Sequence, residues 1–563
     1  MFSLYATLER LRSPRELAFR LSQQVLGVAS FVFPPPRFSE NLRSLPLSEP
    51  FEVDAEELRE LAESILRHEF PIFDRVIETG KGIDWRFDYH NRVGTPAVWF
   101  RKIPFLDFQR SGDHKYIWEL NRHQHLVVLA RHWANEHDPR APAEIATQIA
   151  SWDAQNPFLR SVNWASALEV AMRALSWIWV LHYCGAALPA ETRARLGTML
   201  LQHGVAISQN LSTYFAPNTH ILGEGVALHA LGMTLGREDW VDLGAGIVDR
   251  ELRAQVLDDG FHFELSSYYH VYALDMFLFH YQLRGRPGHF DPVLRKMTRV
   301  AAVLQSSDGL FPLIGDDDGG RFYHPYGRRR AFAQTTRAAG DFSEHLASSG
   351  LSVLRRGSTH ITFDCGPFSR GGAGHSHADA LSLTMRVRGQ DVLVDPGTFT
   401  YVRDAAARNW FRGTGAHSTL RLGGRDQADP VNPFRWENKP RVRRVEGNGW
   451  RAAGECSYRE WVHGRSVDWS THGRLLVQDT VTGPAGSGTL EQNWHSALEI
   501  RQIAPYRFAL GDVVIEIDPR LRPVILEAFR SEVFGSRERS FILCCTSDTP
   551  FPSPLKTTIE VLE

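Results

Sequence analysis

The chain has 563 residues with 63 Lys+Arg against 65 Asp+Glu, a formal net charge of -2, so no global basic field points to nucleic acid. Hydrophobic residues at 43% and charged residues at 23% are ordinary for a globular chain and exclude collagen-like or low-complexity classes. Five cysteines are too few for a disulfide framework at this length, and none has metal-type spacing.

Met1 to Leu17 reads as an amphipathic helix bearing both charge signs, without the basic start, apolar stretch and small-residue cleavage site of a secretory signal. Cytoplasmic residence in a bacterium is therefore the default expectation, with periplasmic or secreted alternatives left open. The run Phe33-Pro-Pro-Pro-Arg37 cannot continue a helix, so residues 1–50 form a helical and Pro-rich lead-in. No stretch reaches about 18 apolar residues, and no membrane span is expected. From residue 51 to 345 the dominant period is helical: Leu58, Leu61, Ile65 and Leu66 begin it, and Ala165 to Leu181, Thr192 to Ser208 and Ala273 to Leu283 continue it. Many helices with few strands between them predict antiparallel helix pairs. From 346 to 563 short alternating strands broken by Gly turns take over, among them His360 to Asp364, Leu381 to Arg388, Arg474 to Val481 and Val513 to Ile517. This texture predicts a β-sandwich, giving a multidomain α+β chain with helices first.

Trp 15, Phe 33 and Tyr 14 beside His 24 is a mixture common where flat apolar faces grip sugars, although a large aromatic core explains it equally well. Four segments carry polar groups that an apolar core does not need. In Gly371-Gly-Ala-Gly-His-Ser-His-Ala-Asp the alternation predicts a strand that projects His375, His377 and Asp379 from one face, in phase with Leu381 and Leu383. Asp395 and His417 extend the cluster, and two imidazoles with a carboxylate, such as His377, His417 and Asp395, would suit zinc; hydrogen bonding at strand ends is the alternative. Pro217 and Asn218 are helix-start residues, and His220 and Glu224 follow four apart on one helical face. The third segment crowds Glu264, Tyr268, Tyr269, His270 and Tyr272 around the start of another helix. Asn163, Glu169 and Arg173 lie on an apolar helix, where the last two form an i,i+4 pair that is structural or functional. Asp316, Asp317 and Asp318 in Gly315-Asp-Asp-Asp-Gly-Gly read as a turn or cation-facing loop, or as paired carboxylates for hydrolysis.

Together these segments resemble the heparinase II/III-like polysaccharide lyases. The resemblance runs through Lys115-Tyr-Ile-Trp-Glu-Leu-Asn-Arg, Val162-Asn-Trp-Ala-Ser-Ala-Leu-Glu, Asn218-Thr-His, Glu264-Leu-Ser-Ser-Tyr-Tyr-His and Gly315-Asp-Asp-Asp-Gly. It continues through Gly374-His-Ser-His-Ala-Asp, Asp395-Pro-Gly-Thr and Arg412-Gly-Thr-Gly-Ala-His-Ser-Thr, so it covers most of the chain. It implies an incomplete (α/α) toroid followed by an antiparallel β-sandwich, and β-elimination on a uronic-acid polysaccharide such as a glycosaminoglycan, alginate or bacterial exopolysaccharide. Such chemistry requires a neutralised carboxylate, a base for the C5 proton and an acid for the departing O4. By resemblance Asn218 and His220 meet the carboxylate, Tyr269 and His375 act as base and acid, and Glu224, Tyr268, His270, Tyr401 and Arg412 line the substrate. His377, Asp395 and His417 correspond to the family's ligands for a structural zinc. Many members read Asn-Asn-His where this chain has Asn218-Thr219-His220, which keeps a second reading open: a carbohydrate-binding or exopolysaccharide-assembly factor on the same fold, without chemistry.

Overall fold

Capping side chains mark where the helices begin. Ser13 Oγ accepts from Glu16 N ahead of the helix Pro14–Val32, and Asp54 accepts from Glu56 and Glu57 N ahead of Ala55–Leu66. A computed structural model describes residues 13–48, 54–73, 75–323, 338–484, 488–548, 551 and 553–562. Of the expected N-terminal helix, residues 1–12 lie outside the described residues. Phe33 to Arg37 is non-helical, as its prolines require.

The chain divides into two compact units. The first comprises the described residues of Met1–Arg253, Asp275–Pro287 and Arg321–Tyr326. Its centre is the helix Ala167–Cys184, which packs against Gln124–Glu136, Ala190–Gln209 and Thr219–Leu235. Ala167–Cys184 is buried over most of its circumference, and glycines let its neighbours approach: a Cβ at Gly223 would stand 2.5 Å from Leu168 Cδ1. The expected Glu169–Arg173 pair takes other partners. Glu169 is gripped by Arg122 at 2.7 and 2.8 Å, while Arg173 donates to His203 and to the carbonyls of Asn121 and Asn163. Both charges are buried, and each is matched by hydrogen bonds. Among the described residues no helix is long and apolar enough to cross a membrane.

The second unit comprises the described residues of Ala254–Leu274, Gly288–Gly320 and Gly327–Glu563. Two antiparallel sheets dominate it. One runs in the order Arg522–Arg530, Glu538–Asp548, Thr489–Ser496, Gln390–Leu393, Leu383–Val387, Thr359–Asp364, Leu351–Arg356 and Phe342–His345, with Leu420–Leu422 also paired to Thr489–Ser496. The other runs Arg441–Asn448, Arg451–Tyr458, Trp461–Asp468, Arg474–Thr482, Leu555–Val561, Val513–Glu516, Arg507–Leu510 and Arg501–Ala504. Alternate residues of Arg451–Tyr458 and Trp461–Asp468 are buried, and the shared core joins Ile361, Phe363 and Leu383 of one sheet to Val467, Val477 and Ile559 of the other. Helices followed by a β-sandwich is thus the observed fold.

Inside the sandwich lies a charged knot. Arg465 Nε and Nη2 grip Asp479 at 2.7 and 3.0 Å, and Asp479 also accepts from His463 and Gln492. The remaining Arg465 nitrogen, Nη1, donates to the carbonyls of Leu381 and Ser418 at 2.9 and 2.6 Å. The knot therefore anchors two loops, 371–382 and 412–419, that carry the sequence's His and Asp motifs.

Close packing in the first unit makes one substitution diagnostic. A Cβ at Gly204, within the helix Ala190–Gln209, would stand 2.0 Å from the buried Trp240 ring. Alanine there gains about 1 kcal/mol of helix propensity, whereas forcing the ring aside costs about 1–3 kcal/mol. Gly204→Ala is therefore expected to lower the urea midpoint; a raised midpoint would show that the ring yields freely.

Candidate active site and metal cluster

Three segments of the second unit are laced together at one place. Tyr269 lies in the first turn of the helix Ser267–Leu283, where its N–H donates to Ser266 Oγ at 3.1 Å. Ser266 Oγ in turn donates to the carbonyl of Asp316 at 2.7 Å, and Asp316 N–H donates to the carbonyl of His375 at 3.0 Å. Gly315 makes this approach possible: its φ is +65°, and a Cβ would stand 2.7 Å from that same His375 carbonyl. The expected strand through 375–379 does not form. Gly371 to Ser382 is irregular, Ala373 and Leu381 take positive φ, and strand pairing begins only at Leu383. The irregular path suits the residues better than a pleat, because it turns His375 and His377 toward the same carboxylate.

The Tyr269 and His375 rings stack with centroids 3.9 Å apart and planes at 26°. The Tyr269 hydroxyl donates to Asp318 Oδ2 at 3.3 Å. His375 Nδ1 is 3.1 Å from Asp316 Oδ2, and its Nε2 is 3.5 Å from Glu264 Oε2. Burial, reinforced by Asp318, pushes the Tyr269 phenol well above its ordinary value, so it rests protonated. Burial alone would pull His375 down, but Glu264, Asp316 and Asp318 outweigh it and raise its pKa. Asp316 behaves oppositely: burial opposes its charge, yet Arg408, His375 and His377 hold it well below the usual carboxylate range. Arg408, from the helix Ala405–Phe411, reaches both Asp316 oxygens at 2.5 and 2.7 Å and lies over the Tyr401 ring. Neither Arg408 nor the hub role of Asp316 was legible in the sequence. Asp317 and Asp318 do form turns, accepting from Gly319 N and Gly320 N.

The other residues assigned to the substrate by resemblance are engaged with their own protein. Tyr268 donates to the Gly320 carbonyl. His270 accepts from His262 N and bonds the Met297 carbonyl, and burial lowers it to about 4. Arg412 donates to Asn409 Oδ1 and to the carbonyls of Asn432 and Pro433 while stacking on Trp436. Tyr401 is buried, its ring 6.3 Å from that of His375. Asn218, His220 and Glu224 belong to the first unit. Asn218 caps the helix Thr219–Leu235 by accepting from His220 N at 3.1 Å, and the half-buried His220 adds to the positive field on Glu169. Glu224 is fully buried and accepts from Ser212 N and Oγ at 2.8 and 2.5 Å.

Next to His375 lies a second cluster. One ligand-type atom from each of His377, Asp379, Asp395 and His417 falls within 4.8 Å of all the others, and all four residues are buried. His377 Nδ1 and His417 Nε2 stand 3.2 Å apart, at 3.4 and 3.1 Å from Asp395 Oδ2. The outward nitrogens face acceptors: His377 Nε2 meets Asp316 Oδ1 at 3.1 Å, and His417 Nδ1 meets the Gly413 carbonyl at 2.7 Å. An acceptor oxygen behind each ring takes the N–H of the outward nitrogen, so the inward nitrogens, turned toward each other and toward Asp395, are the ones that would meet a cation once it displaces the hydrogen shared between them. That donor set fits a divalent cation, with the ring orientations fixed from behind. Asp379 is the fourth candidate ligand. The sequence had placed it in the motif without giving it that role.

Comparison with known proteins bears on the whole chain. Residues 37–317 match the family model described as heparinase II/III N-terminus, and residues 340–518 match that described as heparinase II/III-like, C-terminal. A heparin-sulfate lyase of Pedobacter heparinus is 25% identical over 481 residues, covering 77% of this chain and 68% of that protein. A heparin-sulfate lyase of Bacteroides stercoris is 21% identical over 485 residues, covering 76% and 68%. Among solved structures, one of heparinase III superposes with a TM-score of 0.68 at 16% identity, covering 97% of this chain and 89% of the other. A heparan sulfate lyase mutant from Pedobacter heparinus gives 0.58 at 20% identity, covering 97% and 88%. At these identities the structures speak to the fold, which they share.

Glu224 gives this region a measurable pH signature. Burial pushes its carboxyl up to about 8, against about 4.3 for an unfolded chain. The native state therefore keeps a proton that the unfolded state releases. The associated stability is complete below the unfolded pKa and is lost as pH rises toward and through 8. Thermal scans from pH 5 to 8 are expected to show wild type losing up to a few kcal/mol, roughly, relative to Glu224→Gln, whose stability does not follow this titration. Parallel pH profiles for the two proteins would contradict a buried neutral acid.

Proposed function

Since the chain belongs to the heparinase II/III-like family of polysaccharide lyases, we propose that it cleaves a uronic-acid-containing acidic polysaccharide by β-elimination. The supporting observation is the stacked Tyr269–His375 pair, two groups able to carry protons set 3.9 Å apart and flanked by carboxylates. The functional partition we propose is a helical domain over 51–345 behind the lead-in 1–50, and a sandwich domain over 346–563.

The roles follow from what elimination demands. The C5–H of a uronate is a weak acid until its neighbouring carboxylate is neutralised and the developing enolate stabilised. We assign that neutralisation to the Asn218 amide and the His220 imidazole. Tyr269, resting as a phenol, gives its proton to the departing O4, and His375 takes the C5 proton at Nε2 once that nitrogen has given up the hydrogen its raised pKa favours. The nitrogen so used is the one turned away from Asp316. Glu264, facing that nitrogen, stabilises the imidazolium that forms. Tyr401 and Arg408 lie beside the stacked pair, and Tyr268, His270 and Arg412 of the same unit are assigned to the substrate's surroundings, as Glu224 is with Asn218 and His220. The relatives are named for heparin or heparan sulfate, which makes a sulfated glucosamine–uronate polymer the first substrate to try.

His377, Asp379, Asp395 and His417 are proposed to hold zinc. A bound zinc supplies a structural cross-link between the loops rather than a reacting group. Each residue's own part is to present one donor atom at a fixed angle.

Two measurements test this reading. Supplied with heparan sulfate, chondroitin, hyaluronan and alginate in turn, the protein is expected to raise ultraviolet absorbance from a conjugated uronate on at least one polymer. Tyr269→Phe and His375→Ala are each expected to lower turnover by about 10²–10⁴-fold with folding intact. Oligosaccharide binding without product on every polymer would select the non-catalytic alternative. Elemental analysis is expected to find about one zinc per chain, with removal by a chelator lowering the melting temperature. Metal-free protein of unchanged stability would remove the zinc assignment.

A further inference from the structure

Asp316 is surrounded by more donors than its neighbours need for simple burial. Oδ1 accepts from Arg408 Nη1 at 2.5 Å, His377 Nε2 at 3.1 Å and Thr398 Oγ1 at 3.1 Å. Oδ2 accepts from Arg408 Nη2 at 2.7 Å and His375 Nδ1 at 3.1 Å. The main chain on either side is pinned as well, by the Ser266 hydroxyl on the carbonyl and by the His375 carbonyl on the N–H. The carboxylate therefore cannot swing away to relieve a mismatch.

An ionised carboxylate only accepts. The two-pronged grip of Arg408 keeps it ionised, so the imidazole nitrogens that face it must both carry hydrogen. For His375 this leaves Nε2, the nitrogen turned to Glu264, as the atom free to take a proton. For His377 it leaves Nδ1, the nitrogen turned to Asp395 and His417, as the atom free to bind a cation. We propose that Asp316 is a positioning residue that sets both tautomers through one carboxylate, so that the proton-handling imidazole and the metal-binding imidazole are held in register by the same group. Arg408 is the counter-charge that makes this possible. Neither residue touches the reacting atoms; both act through His375 and His377. For the His375 half, this inference rests on the lyase reading given above; for the His377 half it does not.

Asp316→Asn keeps the shape but offers one acceptor oxygen and an amide nitrogen that only donates. Whichever way the amide turns, an N–H of Arg408 and of one imidazole meets a donor. The test uses the full chain loaded with zinc alone. Zinc release to a chromophoric chelator is expected to be at least about tenfold faster in the variant. Turnover on the polymer that wild type cleaves is expected to fall at least about tenfold with KM within about threefold, because an interaction of the reacting state is lost rather than substrate affinity. A folded Asp316→Asn protein that releases zinc at the wild-type rate, or one that keeps wild-type turnover, overturns the shared role, since each shows that one imidazole is oriented without this carboxylate. If circular dichroism shows that Asp316→Asn does not fold, Arg408→Lys replaces it. Lysine keeps the charge and gives up the fork, and zinc retention and turnover are expected to fall together by a smaller factor; a fall in only one of them overturns the proposal. If wild type cleaves no polymer, the lyase reading fails by itself, and zinc release still decides whether Asp316 orients His377.

Discussion

The rest of the second unit's chemistry depends on one buried ion pair, the two-pronged bond between Arg408 and Asp316. Both side chains are almost wholly shielded from water. Taking two charges out of water is unfavourable unless geometry and further hydrogen bonds restore what hydration gave. Here the restoration is nearly complete. Asp316 receives both arms of the guanidinium, two imidazoles and a hydroxyl, and Arg408 also donates to the carbonyls of Pro433 and Gly374. A pair so fully engaged has one arrangement rather than several, and the residues hung from it inherit that definition.

A second knot performs a related service from inside the sandwich. Arg465 and Asp479 pair with every atom buried, and the spare arm of Arg465 holds the carbonyls of Leu381 and Ser418. Those carbonyls follow His377 and Asp379 on one loop and His417 on the other. The loops that carry the metal-type ligands are thus tied at two places, by Asp316 on the side of His375 and by Arg465 on the side of the core. Irregular chain held this way can be as fixed as a strand while keeping the freedom to aim side chains that a pleat denies.

Much of this was legible in the sequence, and what was not has a physical reason. The helices Ala167–Cys184 and Thr219–Leu235 announce themselves because they are apolar around most of their circumference, and Asn218 is a recognisable cap. The strands alternate because one face of each sheet is buried. The spacing His375-x-His377-x-Asp379 drew attention to these residues, but period-two reasoning assigned them a pleat that positive φ at Ala373 and Leu381 forbids. Leu381 is held at both of its polar groups by distant partners, its N–H by the Asp364 carbonyl and its carbonyl by Arg465, contacts that no local propensity encodes. Asp316 was hidden for a different reason. Flanked by Gly315, Asp317 and Asp318, it looks like part of a turn, and its neighbours do make one. Only the partner 92 positions later in the chain distinguishes it.

This also explains why carboxylates outnumber cations around the stacked pair. Glu264, Asp316 and Asp318 all bear on His375, and Asp318 with Glu264 also bears on Tyr269. Negative potential strengthens the hold of both groups on their protons, keeping the phenol neutral and the imidazole basic. A stronger base takes a proton more readily, whereas a phenol kept neutral still has one to give. The same field would repel a uronate, so substrate carboxylate and carboxylate-rich site are compatible only if the anion is met by cationic or amide groups of its own. The Asn218 amide and the His220 imidazole, proposed above for that carboxylate, are of that kind, whereas Arg122, locked onto Glu169, has little positive charge to spare. Under that proposal electrostatics divides the labour: the groups that meet the anion are not the ones the carboxylates arm to move protons.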